Sequence, residues 1–272
     1  MYDACDYGVN RLFAEHMAEA GRTYDLDIRV VLTQNFGNAL CNPPDFVISR
    51  QRNPLLSARL ESLGIPVFNN AKVCELCNDK RKTHAFLEGL PLMETEYPVP
   101  GIAYIPKRYP VVIKPAFGHG GDRVALANDR AEVENALAAI LPQPALAQEV
   151  ASEAGKDLRV YVLFGGIVAA VLRTARSGIV SNFKRGGNVE LHTVTKEERS
   201  LAEAVIARFA AHGAPLCFAG IDLMYHHGAP VVNEVEDVVG SRMLYQVSDM
   251  DIITMYVERV AHALTHDNSA GL

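Results

Sequence analysis

In VVNEVEDVVGSRML, residues 231–244, three acids, Glu234, Glu236 and Asp237, stand among valines. A buried carboxylate is unfavourable unless something pairs with it, so the pattern asks for a cation. A further acid in apolar company, Asp222, lies upstream in FAGIDLMY (218–225). The two segments flank His226-His227-Gly228-Ala229, a hairpin signal. With His227-Gly228-Ala229 as the loop, 226 pairs with 230 and 222 with 234. That register sets Asp222 beside Glu234 with Cβ atoms ~5 Å apart, and Glu236, two residues on, shares their face. A slip of one residue sends Asp222 to the other side. Three convergent carboxylates repel unless some are protonated or a cation sits among them. An all-oxygen set suits Mg²⁺, with Mn²⁺ as the alternative, and not zinc. The competing reading is a solvated sheet face bearing unrelated acids. Asp237 is expected on the opposite face, as a partner for a base such as Arg242.

Fixed positive charges accompany the acids. Lys114 ends the apolar run Val111-Val112-Ile113 just before Pro115, and Gly118, Gly120 and Gly121 follow between two strands. Such glycines let backbone N–H groups approach an anion. The turn is neither GxxxxGK[ST] nor GxGxxG opening a helix, and taken alone it is equally a plain hairpin turn. A lysine ending a strand also often carries its head to water. Lys80 adds a charge at the front of a helix, and SNFKRGG adds Asn182, Lys184 and Arg185. A nucleotide phosphate tail with Mg²⁺ accounts for the acids and the bases together.

These side chains need a scaffold. Apolar residues recur at helical spacing over 8–21, and strands are expected at 27–33, 46–49 and 65–68. Between the last two, Asn53, Pro54 and Gly64 punctuate a helix. Residues 1 to about 70 thus alternate as in an open α/β sheet. Only Met1 and Tyr2 precede Asp3, so the first strand is expected to be short or the natural start to lie upstream. Further on come a helix at 79–90, a strand–turn–strand at 109–127 and a helix at about 129–140, then a strand at 145–150. A hairpin turning at Gly165-Gly166 spans 157–174, Thr195 and Glu198 form a capping box, and a final helix follows Ser248.

The bulk numbers narrow the function. A net charge of -6 argues against a nucleic-acid partner. No apolar run reaches the ~18 residues of a membrane span, and the N-terminus does not read as a signal peptide. Five cysteines include a lone Cys74-x-x-Cys77, read as packing on a helix rather than a redox pair, and the cytoplasm is the expected compartment.

The order Asp79-Lys80, VVIKPAFGHGG, AQEV, DLRVYV, SNFKRGG, GIDL and NEVE resembles the ATP-grasp superfamily, and within it the RimK-type amino-acid ligases. The resemblance spans about 45 to 260 and rests on the order of these short motifs. It implies an N-terminal α/β domain (1–78), a central α+β subdomain with the glycine-rich loop (79–147) and a C-terminal α+β subdomain with the metal site (148–268). It implies ATP, with Lys80 and Lys114 on its phosphates and Gly118 to Gly121 as the loop above them. Gln148, Glu149 and Val150 would form the hinge strand at the adenine, with Asp157 near the ribose. Asn182 and Arg185 would lie near the γ-phosphate and the acyl-phosphate, and Asp222, Glu234 and Glu236 would hold Mg²⁺. The chain departs from the family at Glu236, where asparagine is usual, and in lacking the Asn-x-Pro-Gly continuation near the substrate. Arg173 and Arg242 are candidate contacts for a substrate carboxylate, and Arg50 and Arg52 end a strand of the first domain, where open α/β sheets place ligands; each is equally readable as a surface ion-pair residue. The implied reaction joins a small-molecule or peptide carboxylate to an amine, with homo-oligomerisation open along the last helix. A small-molecule kinase and a non-catalytic nucleotide-binding module are the rivals. A metal-dependent hydrolase leaves the paired lysines unexplained.

Overall fold

The computed structural model describes residues 1–176 and 187–267. Helix α1 (Ala4–Thr23) starts directly after the first residues, and a short helix α2 (Phe36–Ala39) follows. Strand β1 (Val47–Ile48), helix α3 (Pro54–Glu61) and strand β2 (Val67–Phe68) form a parallel pair with its crossover. Asn53 caps α3 by accepting from Leu55 N, and Pro54 opens it. The strand expected at 27–33 does not form a ladder. It contributes one parallel bridge, Leu32 to Tyr2. Tyr2 exchanges hydrogen bonds with Val31 O and Thr33 N, and the chain then turns into α1, so the pairing stops there. Helices α4 (Ala71–Cys77) and α5 (Lys80–Phe86) are capped by Asn70 and Asp79.

Strands β3 (Thr95–Glu96), β4 (Val111–Pro115), β5 (Ala125–Ala127) and β6 (Ala145–Glu149) make an antiparallel sheet in the order β3-β6-β4-β5. Helix α6 (Arg130–Ile140) covers one face, where Val133 and Ile140 meet Val111, Ile113 and Ala147. Strand alternation sends Val112, Lys114 and Gln148 to the other face.

The second sheet comprises β7 (Lys156–Leu163), β8 (Gly166–Thr174), β9 (Asn188–Leu191), β10 (Phe218–His226) and β11 (Ala229–Glu236), in the order β11-β10-β7-β8-β9. The turn between β7 and β8 is Phe164-Gly165, not Gly165-Gly166, because Gly166 already pairs with Leu163. Helix α7 (Lys196–Ala211), entered through the expected capping box, packs Leu201, Val205 and Phe209 on Leu158, Val160, Ile221 and Val235. After a short helix α8 (Leu244–Val247), helix α9 (Ile252–Asp267) joins α1 on the opposite face. There Phe13, Met17, Tyr256 and Val260 cover Tyr161, Leu163 and Phe218. Beyond this cover the same face turns from apolar to charged, because the residues in step with Tyr161 are Arg159 and Asp157. No described helix is long and apolar enough to cross a membrane.

Gly220 stands where cover and charge meet. A Cβ there would lie 2.7 Å from Val239 Cγ2 and 3.4 Å from Arg159 Cδ and Nε. We expect Gly220→Ala to lower the free energy of unfolding by about 1–3 kcal/mol, as overpacking does. Urea unfolding measures this, and an unshifted midpoint would mean that Val239 moves aside freely.

Candidate active site

The hairpin β10–β11 reaches the expected pairing by an unexpected route. Its loop is two residues, His227-Gly228, with φ of 51° and 78° and His226 opposite Ala229. Positive φ at both positions is the type I′ pattern, whose twist suits a tight hairpin. This register alone would miss Asp222–Glu234. A bulge between Asp222 and Leu223 shifts it by one, leaving Asn233 unpaired and setting Asp222 opposite Glu234. The extra residue restores the face, and the carboxylates of Asp222, Glu234 and Glu236 each place an oxygen within 4.8 Å of the others. The bulge also gives Asn233 a role: its Oδ1 accepts from Lys114 Nζ at 3.0 Å.

Two buried arginines answer these acids. Arg159 lies opposite Asp222 across β7–β10 and donates Nε and Nη2 to its two oxygens at 2.8 and 2.7 Å. The same Nη2 lies 2.9 Å from Glu236 Oε1. Arg173, opposite Asp157 across β7–β8, donates to Asp157 Oδ1 at 2.7 Å and to Asp222 Oδ2 at 2.7 Å, with a further bond to Asp157 Oδ2. Burial opposes charge on Asp222, but the two guanidiniums outweigh it and hold the carboxyl well below its ordinary range. Burial also raises Glu236, offset only in part by Arg159. For Glu234 burial is the largest influence, but Lys80, Lys114 and Arg159 together outweigh it, so its carboxyl is lowered.

A cleft of about 540 Å³ opens over this face, lined also by Lys80, Lys114 and residues 117–122. Lys80 Nζ lies 3.2 Å from Glu234 Oε2 and donates to Gly118 O at 2.6 Å, tying α5 to the glycine loop. Lys114 is buried and donates to Gln148 Oε1 at 2.9 Å; burial pushes its pKa down to about 8. Gly118, Gly120 and Gly121 border the cleft, as do Glu149 and Val150 at the end of β6. Glu149 N–H is already used by Glu94 O, so recognition of a base through that amide is closed. Asn182 and Arg185, with Lys184, lie outside the described residues.

Several expectations change. Arg50 is not a cleft residue. It is buried, stacks over Phe13 and Phe218 at 4.5 and 5.7 Å, and donates to Val239 O at 2.7 Å. Arg52 does line the cleft, paired with Asp6. The partner of Asp237 is Asn78 Nδ2 at 3.0 Å and not Arg242, and burial raises Asp237 to about 6. Arg242 is exposed at the cleft without an ion pair among the described residues. Burial raises the thiols of Cys74 and Cys77, which fits packing. Residues that sequence reasoning passed over are Arg159 and the braces of the loop after β11. Arg159 had a signal, the Asp-x-Arg alternation in an apolar strand. The braces did not: Asn69 Nδ2 donates to Asp237 O at 3.1 Å and Tyr161 Oη to Gly240 O at 3.0 Å.

Residues 93–260 match the RimK-like ATP-grasp domain. The chain belongs to the RimK-like ATP-grasp family. Probable alpha-L-glutamate ligase 1 of Shewanella amazonensis is 30% identical over 218 residues, which is 75% of this chain and 71% of that one. The D-cycloserine synthetase DcsG superposes with a TM-score of 0.72 at 18% identity, covering 91% and 93% of the two chains. The D-alanine–D-alanine ligase of Bacillus anthracis, complexed with ATP, gives 0.68 at 16% identity, covering 93% and 94%. At such identities the structures speak for the fold. This RimK-like chain is an ATP-dependent carboxylate–amine ligase. Its acids fit the family's magnesium in kind, since three carboxylates converge with oxygens within 4.8 Å of one another and offer the all-oxygen set that this ion takes.

Asp222 is the anion that both arginines share. Asp222→Asn is expected to lower stability by about 3–5 kcal/mol, the usual effect of removing one partner from a buried ion pair. Urea unfolding at neutral pH tests this, and a loss below about 1 kcal/mol would show that the network does not depend on Asp222.

Proposed function

We propose that the cleft joins the carboxylate of an amino acid or peptide to an amine, with ATP and Mg²⁺ (Mn²⁺ able to replace it) bound between the two sheets. The observation that carries this is the placement of Lys80 and Lys114 around three converging carboxylates in one cleft. A substrate carboxylate oxygen attacks the γ-phosphorus, the bond to ADP breaks, and an acyl-phosphate results. The amine then attacks the carbonyl, loses a proton and expels phosphate. Lys80 and Lys114 offset charge on the phosphates, and rigid placement by Gly118 O, Gln148 and Asn233 means little reorganisation is needed. Asp222, Glu234 and Glu236 hold the divalent ion, which neutralises charge on the transferring group. Residues 117–122 lie over the phosphates, Gln148, Glu149 and Val150 at the end of β6 meet the adenine, and Asp157 stands towards the ribose. Asn182 and Arg185 serve the γ-phosphate and acyl-phosphate. We assign Arg173 to the same network as a support for Asp222 and Asp157. The named relatives favour a glutamate-like amino acid as one substrate, and the free cysteines favour the cytoplasm.

ADP release measured with a panel of amino acids, with mass spectrometry of the product, tests this reading. Formation of an amide is expected. ADP with only a phosphorylated product would make the protein a kinase, and nucleotide binding without turnover would make it a binding module. Lys114→Ala should lower kcat by about 10²-fold.

The lowered pKa of Lys114 gives a pH test. Its charged form binds the phosphates, and above pH about 8 the free protein loses that proton. The affinity for Mg²⁺ with a non-hydrolysable ATP analogue should therefore fall about tenfold between pH 7 and pH 9. Calorimetry with Lys114→Arg, which keeps its charge, should show no such fall.

A further inference from the structure

Each of the three carboxylates assigned to the metal already has a cation. Arg159 and Arg173 donate three hydrogen bonds to Asp222, Arg159 Nη2 also meets Glu236, and Lys80 meets Glu234. Among the described residues the charges of the cluster balance before any ion enters: Asp157, Asp222, Glu234 and Glu236 against Lys80, Lys114, Arg159 and Arg173. Arg159 is the member placed between ligands, since its Nη2 contacts oxygens of both Asp222 and Glu236. A carboxylate oxygen that accepts charged N–H groups has fewer lone pairs for a metal. A guanidinium beside the ligands also repels a divalent cation at short range. The glutamate at 236 gives Arg159 a charged second partner that an asparagine would not supply.

We propose that Arg159 is a positioning residue that holds the place of the divalent ion. Its guanidinium keeps Asp222 and Glu236 at coordinating distance, and it keeps metal alone out. The ion enters with the nucleotide, whose phosphates supply the anions that the displaced cations then meet. This rests on the assignment of the metal to Asp222, Glu234 and Glu236. Linkage makes the effect reciprocal: the factor by which nucleotide tightens metal is the factor by which metal tightens nucleotide.

Mn²⁺ binding to the full chain, followed by electron paramagnetic resonance, tests this with and without a non-hydrolysable ATP analogue. The natural chain should bind Mn²⁺ weakly alone and tightly with the analogue. Arg159→Gln should bind Mn²⁺ alone at least about tenfold more tightly than the natural chain. Arg159→Lys keeps one charge but cannot fork across two carboxylates, so it should fall between them. It serves as the test if Arg159→Gln does not fold by circular dichroism. Equal Mn²⁺ affinity of the natural chain and the folded variant, without nucleotide, would overturn the placeholder while leaving the metal assignment intact. Absence of protein-bound Mn²⁺ even with the analogue would instead remove the metal assignment, and the placeholder with it.

Discussion

Four carboxylates on one half of one sheet face can be sheltered from water only if fixed cations stand among them. That requirement organises the molecule. β7 and β8 bring Arg159 and Arg173 into the row that β10 and β11 fill with acids, and α5 and β4 bring the two lysines from outside the sheet. The elements that look remote from the chemistry are thus the ones that supply its counter-charges. The apolar half of the same face, under α1 and α9, fixes the sheet so that these pairs meet at hydrogen-bond distance.

The N-terminal region does more than flank the cleft. The loop after β11, residues 237–243, contains no proline, and buried side chains hold its carbonyls. Asn69 takes that of Asp237, Arg50 that of Val239 and Tyr161 that of Gly240. Two of these three belong to the first seventy residues. Stiffness that a proline ring would build into the backbone is here supplied from neighbouring elements.

Much of this was legible beforehand, because alternation and capping are local. The helix caps at Asn53 and Thr195 follow from spacing alone, whereas the shared face of Asp222, Glu234 and Glu236 was expected from a 226–230 register that the structure replaces with a tighter turn and a bulge. The motif order carried the family. What stayed hidden depends on contacts across the fold. Arg50 looked like a strand-end cation because nothing near it in sequence announces the rings of Phe13 and Phe218. Arg159 could be seen as charged in an apolar strand, but its partner depends on which strand lies alongside. The 27–33 strand failed because its neighbour becomes a helix after one paired residue.

The hairpin turn and the bulge in β11 each displace the pairing by one residue, and together they cancel. Turn length here is therefore not an independent variable. A chain with a three-residue loop and an unbroken ladder would present the same acids to the same side, but it would have no surplus residue to send towards Lys114. A change of loop length at the tip would keep the acids on one face only if the bulge changed with it, because each moves every side chain between them to the other side.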